Sequence, residues 1–422
     1  MKAWRLIGLI GLSLNSDAQM RMDEVWQPLL PPVAHIEQTL QAHPEMQLTD
    51  QSKAIWSGRA AQQRQGEAAW TLKGGLQVRQ LSGGSSFEQQ IGVEKRLRLS
   101  HKRRADESIA DQQILYADRL TGETEHRLSI GLLNDWWGIV KLAQQGRRAA
   151  QYQTLLRKQA ESVQKRIRAG DAARLELMLI EAEIQQHALD QQRQHAELMQ
   201  QQLRLSRYYQ GALPVSWPVP QLSVALEQQL AMLMDQPHHS ALIEQILQHD
   251  HELSLAKLQE QTLEQQRLRL QLESRPDPSV ALGYSREQRG QEHLISVGLS
   301  LPLSSPAHQA QRAVAQAEVE QARIQTDVLR RQLQLETAAR LEQLKHAWTA
   351  RTQAKHLLGM SEQQQQLLYR AYQLGEISLN DWLLSARQLI QAQQRLDEVE
   401  QQLLEVYSRL RLDQHQLWLD DH

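Results

Sequence analysis

Four histidines, His238, His239, His249 and His251, fall within fourteen residues and form a clear gathering of metal-type donors. His249 and His251 stand two apart in a stretch that reads as helix, where side chains at that spacing point apart. The group therefore reads as solvated polar residues beside a linker, and no metal site is assigned. Trp136-Trp137 with Asp135 can be read as a ligand pair or an interfacial girdle, but packing between helices is the stronger reading. Lys102-Arg103-Arg104 follows a strand, and is read equally as a solvated charge run or as the mark of a strand-to-helix junction. Ser378 and Asp381 have the spacing of a helix N-cap and its returning carboxylate. There is no Ser/His/Asp arrangement, phosphate loop or H-E-x-x-H, so neither an enzyme nor a cofactor is expected.

Long helices must carry most of these residues. After Ser378, the side chains Trp382, Ala386, Leu389, Leu396, Val399, Leu403, Val406, Leu410 and Leu417 recur at steps of four and three, with Gln393 filling one gap. That is a sustained heptad seam, which requires other helices nearly parallel to it. Tyr372-Gln373-Leu374-Gly375 leads into it, the glycine supplying a turn without a Cβ penalty. The same construction occurs earlier, where Arg166 to Asp171 encloses Gly170 and is followed by Leu175, Met178, Ala182, Leu189, Ala196, Met199 and Leu203. The chain carries two copies of one helical hairpin tip.

Composition agrees with that. Aromatics make up only 5 % of 422 residues, with a single phenylalanine, Phe87, which suits long helices with narrow seams. The formal net charge is −2 and the basic residues are dispersed, so a nucleic-acid partner has no support. Without cysteine there is no disulfide, thiolate metal site or lipidated N-terminal cysteine. Residues 1–18 read as a signal peptide: a basic start (Met1 to Arg5), an apolar run (Leu6 to Leu14) and the small-x-small site Ser16-Asp17-Ala18. No other window holds eighteen apolar residues, so any contact with a bilayer must come from strands or from the surface.

Strands are expected at Leu72 to Leu81 and Ser86 to Leu99, around Ser82-Gly83-Gly84-Ser85. In the second, Ile91, Val93, Leu97 and Leu99 alternate with Gly92, Glu94, Arg96 and Arg98. The apolar face belongs either to a soluble core or to lipid, and the pattern leaves both open. Ser100 to Ala169 reads as helix with Gly122, Gly131, Gly138 and Gly146 as possible breaks, and Gly211 to Pro220 as linker. Then the order repeats. Ile243-Glu244-Gln245 echoes Ile36-Glu37-Gln38, Val297-Gly298-Leu299 echoes Ile91-Gly92-Val93, and Gly375 echoes Gly170, at offsets of 207, 206 and 205 residues. The second strands are placed at Ser279 to Arg286 and Leu294 to Leu303, around Glu287 to Gln291. The expected domain plan after the signal peptide is 19–71 (N-terminal segment and first helices), 72–99 (first transmembrane hairpin) and 100–210 (long helices, tip near 170). It continues with 211–237 (linker), 238–277 (second-repeat helices), 278–303 (second transmembrane hairpin) and 304–422 (long helices, tip near 375). Four strands cannot close a barrel, and open edges do not survive in lipid, so a membrane role requires several chains to share one barrel.

The duplicated layout resembles the TolC-type outer-membrane efflux factors, and so do two local motifs. Val297-Gly298-Leu299-Ser300-Leu301-Pro302-Leu303, followed by Gln311-Arg312-Ala313-Val314-Ala315-Gln316-Ala317-Glu318, is similar to the family's second hairpin and its exit. Ala371 to Leu383 resembles its periplasmic tip, and Arg168 to Leu175 is a weaker first-repeat version. His43-Pro44-Glu45 and Lys102-Arg103-Arg104-Ala105 resemble the heavy-metal-efflux, CzcC-like branch. The resemblance implies a mainly α fold with a small β part, assembled as a homotrimer with a twelve-strand β-barrel and a twelve-helix periplasmic α-barrel. It implies an exit duct passing metal cations or drugs outward, in contact with outer-membrane lipid, a periplasmic adaptor (membrane fusion) protein and an inner-membrane pump. Carried over, Asp381 and Tyr372 stand at the tunnel constriction, where Tyr372 helps to hold the closed state. Leu384 stands where the family has a second aspartate, and makes the constriction partly hydrophobic. Gly170, Asp171, Gly375 and Glu376 would meet the adaptor. The alternative is a soluble helical coiled-coil scaffold with small β-inserts.

Overall fold

A composition poor in aromatics and rich in Gln, Leu, Ala and Glu favours helix over most of the chain, and helix dominates the computed structural model. It describes residues 26, 29–66, 70–81, 84–209, 217–234, 239–302 and 306–418. The expected signal peptide, His238, Leu303 and residues 211–216 of the expected linker lie outside the described residues. The elements are α1 Val33–Gln41, α2 Pro44–Gln65, β1 Trp70–Leu81, β2 Gly84–Arg96, α3 Ser100–Arg168, α4 Arg174–Tyr208 and α5 Val224–Met234. Then come α6 Ser240–His249, α7 His251–Gln271, β3 Ser279–Glu287, β4 Glu292–Ser300, α8 Pro306–Gln373 and α9 Leu379–Asp413. No described helix is long and apolar enough to cross a membrane.

Several boundaries differ from the sequence expectation. α3 runs unbroken through all four glycines. Glycine costs a helix about 1 kcal/mol relative to alanine, but at two positions close packing needs it. A Cβ on Gly122 would meet the His251 imidazole, and one on Gly131 would meet the Tyr209 hydroxyl. The expected linker contains a helix, α5, whose Leu226 and Leu230 are fully buried. His249 and His251 do not share a helix, because Asp250 adopts extended backbone and separates α6 from α7. Pairing begins earlier than expected in β1 and β2: Gly84 already pairs with Leu81, and Arg96, not Leu99, ends β2. β4 likewise starts at Glu292 and stops at Ser300, before Pro302, which has no N–H to give a ladder.

The described residues divide into two compact units. One comprises the described parts of Leu48–Glu123 and His251–Gln332, and holds the sheet. Its strands run antiparallel in the order β1-β2-β3-β4, so the two hairpins meet through β2 and β3 while β1 and β4 are edges. Register puts Leu72, Val93, Leu282 and Val297 in one row and Gly74, Ile91, Tyr284 and Ile295 in the next on the same face. That apolar face is uncovered, with Ile295, Val297 and Leu299 at 78, 78 and 76 % exposure. The opposite face carries Gly92, Gly283, Ser296, Ala281 and Gly298, the Lys73–Glu94 ion pair, and Arg79 bridging Glu88 and Glu287 at 3.1 Å each.

The other unit comprises the described parts of Met1–Gln47, Thr124–Asp250 and Leu333–His422. Trp136 and Trp137 are packed there: their indole N–H groups donate to the Leu29 carbonyl at 2.9 Å and the Ser408 hydroxyl at 3.0 Å. Buried Arg351 on α8 ties α9 and α5 together through Glu400 and Glu227, both at 2.8 Å. Within α9, Trp382, Ala386, Leu403 and Leu410 of the expected seam are buried, and so is Leu417, which lies beyond the end of the helix at Asp413. The first-repeat seam behaves differently. Leu175, Met178, Ala182, Leu189, Ala196, Met199 and Leu203 on α4 are all exposed, and α4 packs on its own chain through other residues, Ile180 among them.

Candidate gate at the helical tips

Each tip forms because a glycine takes the left-handed conformation that other residues avoid. Gly170 has φ +80° and Gly375 φ +78°. At both, two backbone bonds close the helix: Gly170 N–H to the Ile167 carbonyl and Asp171 N–H to Arg166, then Gly375 N–H to Tyr372 and Glu376 N–H to Ala371. Behind the tips lies an apolar cluster of Tyr152, Leu156, Val163, Ile180, Tyr372, Leu379, Trp382, Leu383 and Ala386, drawn from α3, α4, α8 and α9. Trp382 is fully buried at its centre, its ring against Tyr372 and Tyr369 at centroid separations of 6.1 Å. Its indole N–H meets no acceptor among the described residues, which costs on the order of 1–3 kcal/mol and weakens the packed arrangement.

Tyr372, at the end of α8, is 6 % exposed and is the side chain that joins the two hairpins. Its hydroxyl donates to Glu176 Oε2 at 3.1 Å in the first turn of α4, and accepts from Arg166 Nη1 at 2.9 Å at the end of α3. Arg166 also lies over the Tyr372 ring at 5.4 Å, and donates to the Asp171 carboxylate at 3.1 Å and to its carbonyl at 3.0 Å. Burial, and then the Glu176 carboxylate, push the Tyr372 phenol above its ordinary range, so it stays a proton donor at neutral pH. A second link of the same type lies further along: Tyr152 donates to Glu183 at 3.1 Å, and Arg387 of α9 reaches the same carboxylate at 3.3 Å.

Asp381 stands apart from that bond network. Its carboxylate accepts from the Ser378 amide at 3.1 Å and the Ser378 hydroxyl at 2.6 Å, while its own amide donates back to Ser378 Oγ, a complete capping box. The side chain is exposed, one turn from Leu384, which is 52 % exposed. Gly170, Asp171, Gly375 and Glu376 are exposed at the two turns. The chain thus brings Tyr372 into contact with Arg166 and Glu176, and leaves Asp381 and Leu384 on the surface of a single copy. Sequence reading missed Arg166 and Glu176. The duplication was the signal available, because an offset of 205 residues sets Glu176 at the place of Asp381 and Ala173 at the place of Ser378. A carboxylate in a first helical turn without a capping serine has no local partner, and is free to reach elsewhere.

Of the four histidines, His249 donates its Nδ1–H to the Gln245 carbonyl at 2.8 Å and lies 6.0 Å from the His415 ring, while burial holds His239 below its ordinary range. Among the described residues no three His, Asp or Glu side chains are arranged to hold a metal ion.

No protein-family model matches the chain, and no curated protein matches it. Solved structures do. The outer membrane protein VceC of Vibrio cholerae superposes with a TM-score of 0.71 at 14 % identity, over 90 % of this chain and 95 % of that one. The outer-membrane channel OprN gives 0.74 at 15 % identity, over 93 % and 92 %. The open state of the Neisseria gonorrhoeae MtrE outer membrane channel gives 0.72 at 12 % identity, over 90 % and 88 %. Nine-tenths or more of this chain takes part in each superposition. The chain has the fold of these outer-membrane channels.

Proposed function

We propose that this protein is the outer-membrane exit duct of a tripartite efflux system, a passive channel extending into the periplasm. The observation that carries the reading is the sheet: four strands, two open edges, and an apolar face that the chain's own helices leave uncovered. A scaffold protein would pack that face on its own helices. In water such a surface aggregates, and in lipid it is stable only when its edges are paired. Three copies supply twelve strands, enough to close a barrel. The exposed seam on α4 supports the same assembly. A heptad stripe needs a helix to lie against, and α8 offers one in Leu357, Met360, Leu367 and the adjoining Leu374, all exposed at steps of three and seven. Pairing α4 of one copy with α8 of the next closes a ring of twelve helices as a homotrimer.

Such a duct conducts whatever an inner-membrane pump delivers through a periplasmic adaptor, metal cations or drugs included. Gating lies at the tips. The bonds from Tyr372 to Glu176 and Arg166 hold the two hairpins of each copy together, and an adaptor that contacts Gly170, Asp171, Gly375 and Glu376 opens the ring by separating them. Asp381 and Leu384 face the constriction, where three carboxylates attract cations and three leucines narrow a wet path. Reconstitution into a planar bilayer tests the reading. The expected result is a detergent-soluble trimer that conducts, with multivalent cations blocking the wild type more strongly than Asp381→Ala. A detergent-free monomer without conductance contradicts the duct, and unchanged block removes Asp381 from the gate.

A further inference from the structure

The outward, apolar face of the sheet carries one row that breaks the pattern. Register sets Leu76, Gln89, Arg286 and His293 side by side, one step nearer the hairpin turns than the row of Ile91, Tyr284 and Ile295. Arg286 and His293 are direct partners across β3 and β4, where Cβ atoms stand roughly 5 Å apart. Both are exposed. Two basic residues at that separation do not stabilise each other, and a shared anion would stabilise both.

Each is held from one side and open on the other. The Arg286 guanidinium bends toward the turn, where a Cβ on Gly290 would lie 2.5 Å from its Nε and Nη2. Gly290, at φ +91°, fits the turn and leaves that room. For His293, the Tyr284 hydroxyl lies 2.6 Å from Nδ1 and the two rings stack at 5.9 Å, so Nε2 is the nitrogen left for a ligand. No carboxylate pairs with either residue among the described residues. The acids next to them in sequence, Glu287 and Glu292, stand on the opposite face, where Glu287 is taken by Arg79 at 3.1 Å and Ser285 at 3.0 Å. In the adjoining turns Ser82, Gly83 and Arg289 are not acids.

A guanidinium on a lipid-facing surface is stable near the interface, where it reaches water or an anion. The other end of the apolar face has a matching pair, Lys95 lying 4.6 Å from the Trp70 ring centroid, with the Val93 and Ile91 rows between. Basic and aromatic residues at both ends of an apolar band mark its two headgroup depths. The helices join the sheet at the Trp70 end, so under the duct reading the Arg286 end faces outside.

We propose that Arg286 and His293 bind the phosphate of an anionic lipid in the outer leaflet. The guanidinium fork takes two phosphate oxygens and His293 Nε2–H donates to a third. Leu76 and Ile295, 73 and 78 % exposed beside them, receive the acyl chains, which selects a lipid over free phosphate. The inference rests on the duct reading, which puts this face in lipid.

Native mass spectrometry of the full chain, in a phosphate-free sugar detergent titrated with lipid A, tests it. Wild type is expected to retain lipid A, with Arg286→Gln weakening retention about tenfold and His293→Gln about threefold. Arg286→Lys should fall between wild type and Arg286→Gln, because an ammonium keeps the charge without the fork. Arg323→Gln, exposed on α8, should change nothing. Phosphatidylcholine, whose own choline offsets its phosphate, should be held weakly by all. Equal lipid A retention in wild type, Arg286→Gln and His293→Gln, or phosphatidylcholine held as tightly as lipid A, overturns the proposal. Bilayer current separates the two readings. Current that persists while lipid A retention ignores both variants strikes this site and leaves the duct. A detergent-free, silent protein that retains no lipid A strikes both.

Discussion

At both tips the chain leaves a long helix through a left-handed glycine and enters the next helix seven residues after Ile167 or Tyr372, with matching backbone bonds at Gly170 and Gly375. What differs is the residue that caps the helix that follows. Ser378 caps α9 and engages Asp381, so that carboxylate is spent locally. Ala173 precedes α4 with no side-chain cap, and the equivalent carboxylate, Glu176, crosses to Tyr372 on the other hairpin. The aromatic and apolar partners diverge in the same way. The second tip places fully buried Trp382 where the first has partly buried Leu177, and Tyr372 where the first has Ile167. Duplication supplied one frame, and substitutions at a few equivalent positions made one tip the anchor and the other its acceptor.

Four comparisons test that division, the largest first. Trp382→Ala should cost about 3–5 kcal/mol, the range for a fully buried aromatic, and Leu177→Ala markedly less; thermal melting of the full chain compares them. Equal losses would mean that the second tip is not the anchor. Tyr372→Phe should raise the open probability in single-channel recordings by about tenfold, for a net loss of about 1–2 kcal/mol. Glu176→Gln should add little to it, and fully additive effects would break the proposed bond. Ser378→Ala should cost about 1 kcal/mol, whereas Ala173→Ser stabilises α4 slightly while drawing Glu176 away from Tyr372, so it should also favour opening. The pH dependence is the smallest effect. Because the folded Tyr372 phenol lies above its unfolded value of about 10, its contribution is complete below that pH and is lost as pH rises through the higher folded value. Open probability should therefore be flat through neutral pH and rise only in strong alkali, and the rise should be absent in Tyr372→Phe.

Much of the fold was legible because period and turn chemistry are local. Heptad spacing, the tip glycines, the alternation in the strands and the repeat offset all follow from neighbours a few residues apart. The glycines of α3 misled for the opposite reason: the atoms that crowd Gly122 and Gly131 come from α7 and from Tyr209, far away in sequence. Lys102-Arg103-Arg104 read equally as a solvated run or a strand-to-helix junction, but Lys102 lies fully buried because Glu273 and Asp277 arrive from the second repeat, while Arg103 and Arg104 are exposed. At the tips, the Ser378–Asp381 pair could be read from spacing alone. The Arg166–Tyr372–Glu176 group could not, since it depends on which helices meet.

The most direct measurement is the mass and conductance of the detergent-solubilised protein, with and without Leu189→Glu and Met199→Glu on the uncovered face of α4. Three chains per particle with steady bilayer current, both lost when the two glutamates are introduced, is the outcome expected if separate copies pool their strands and complete each other's seams. Single chains in the wild type, silent in a bilayer and indifferent to the two substitutions, would contradict it.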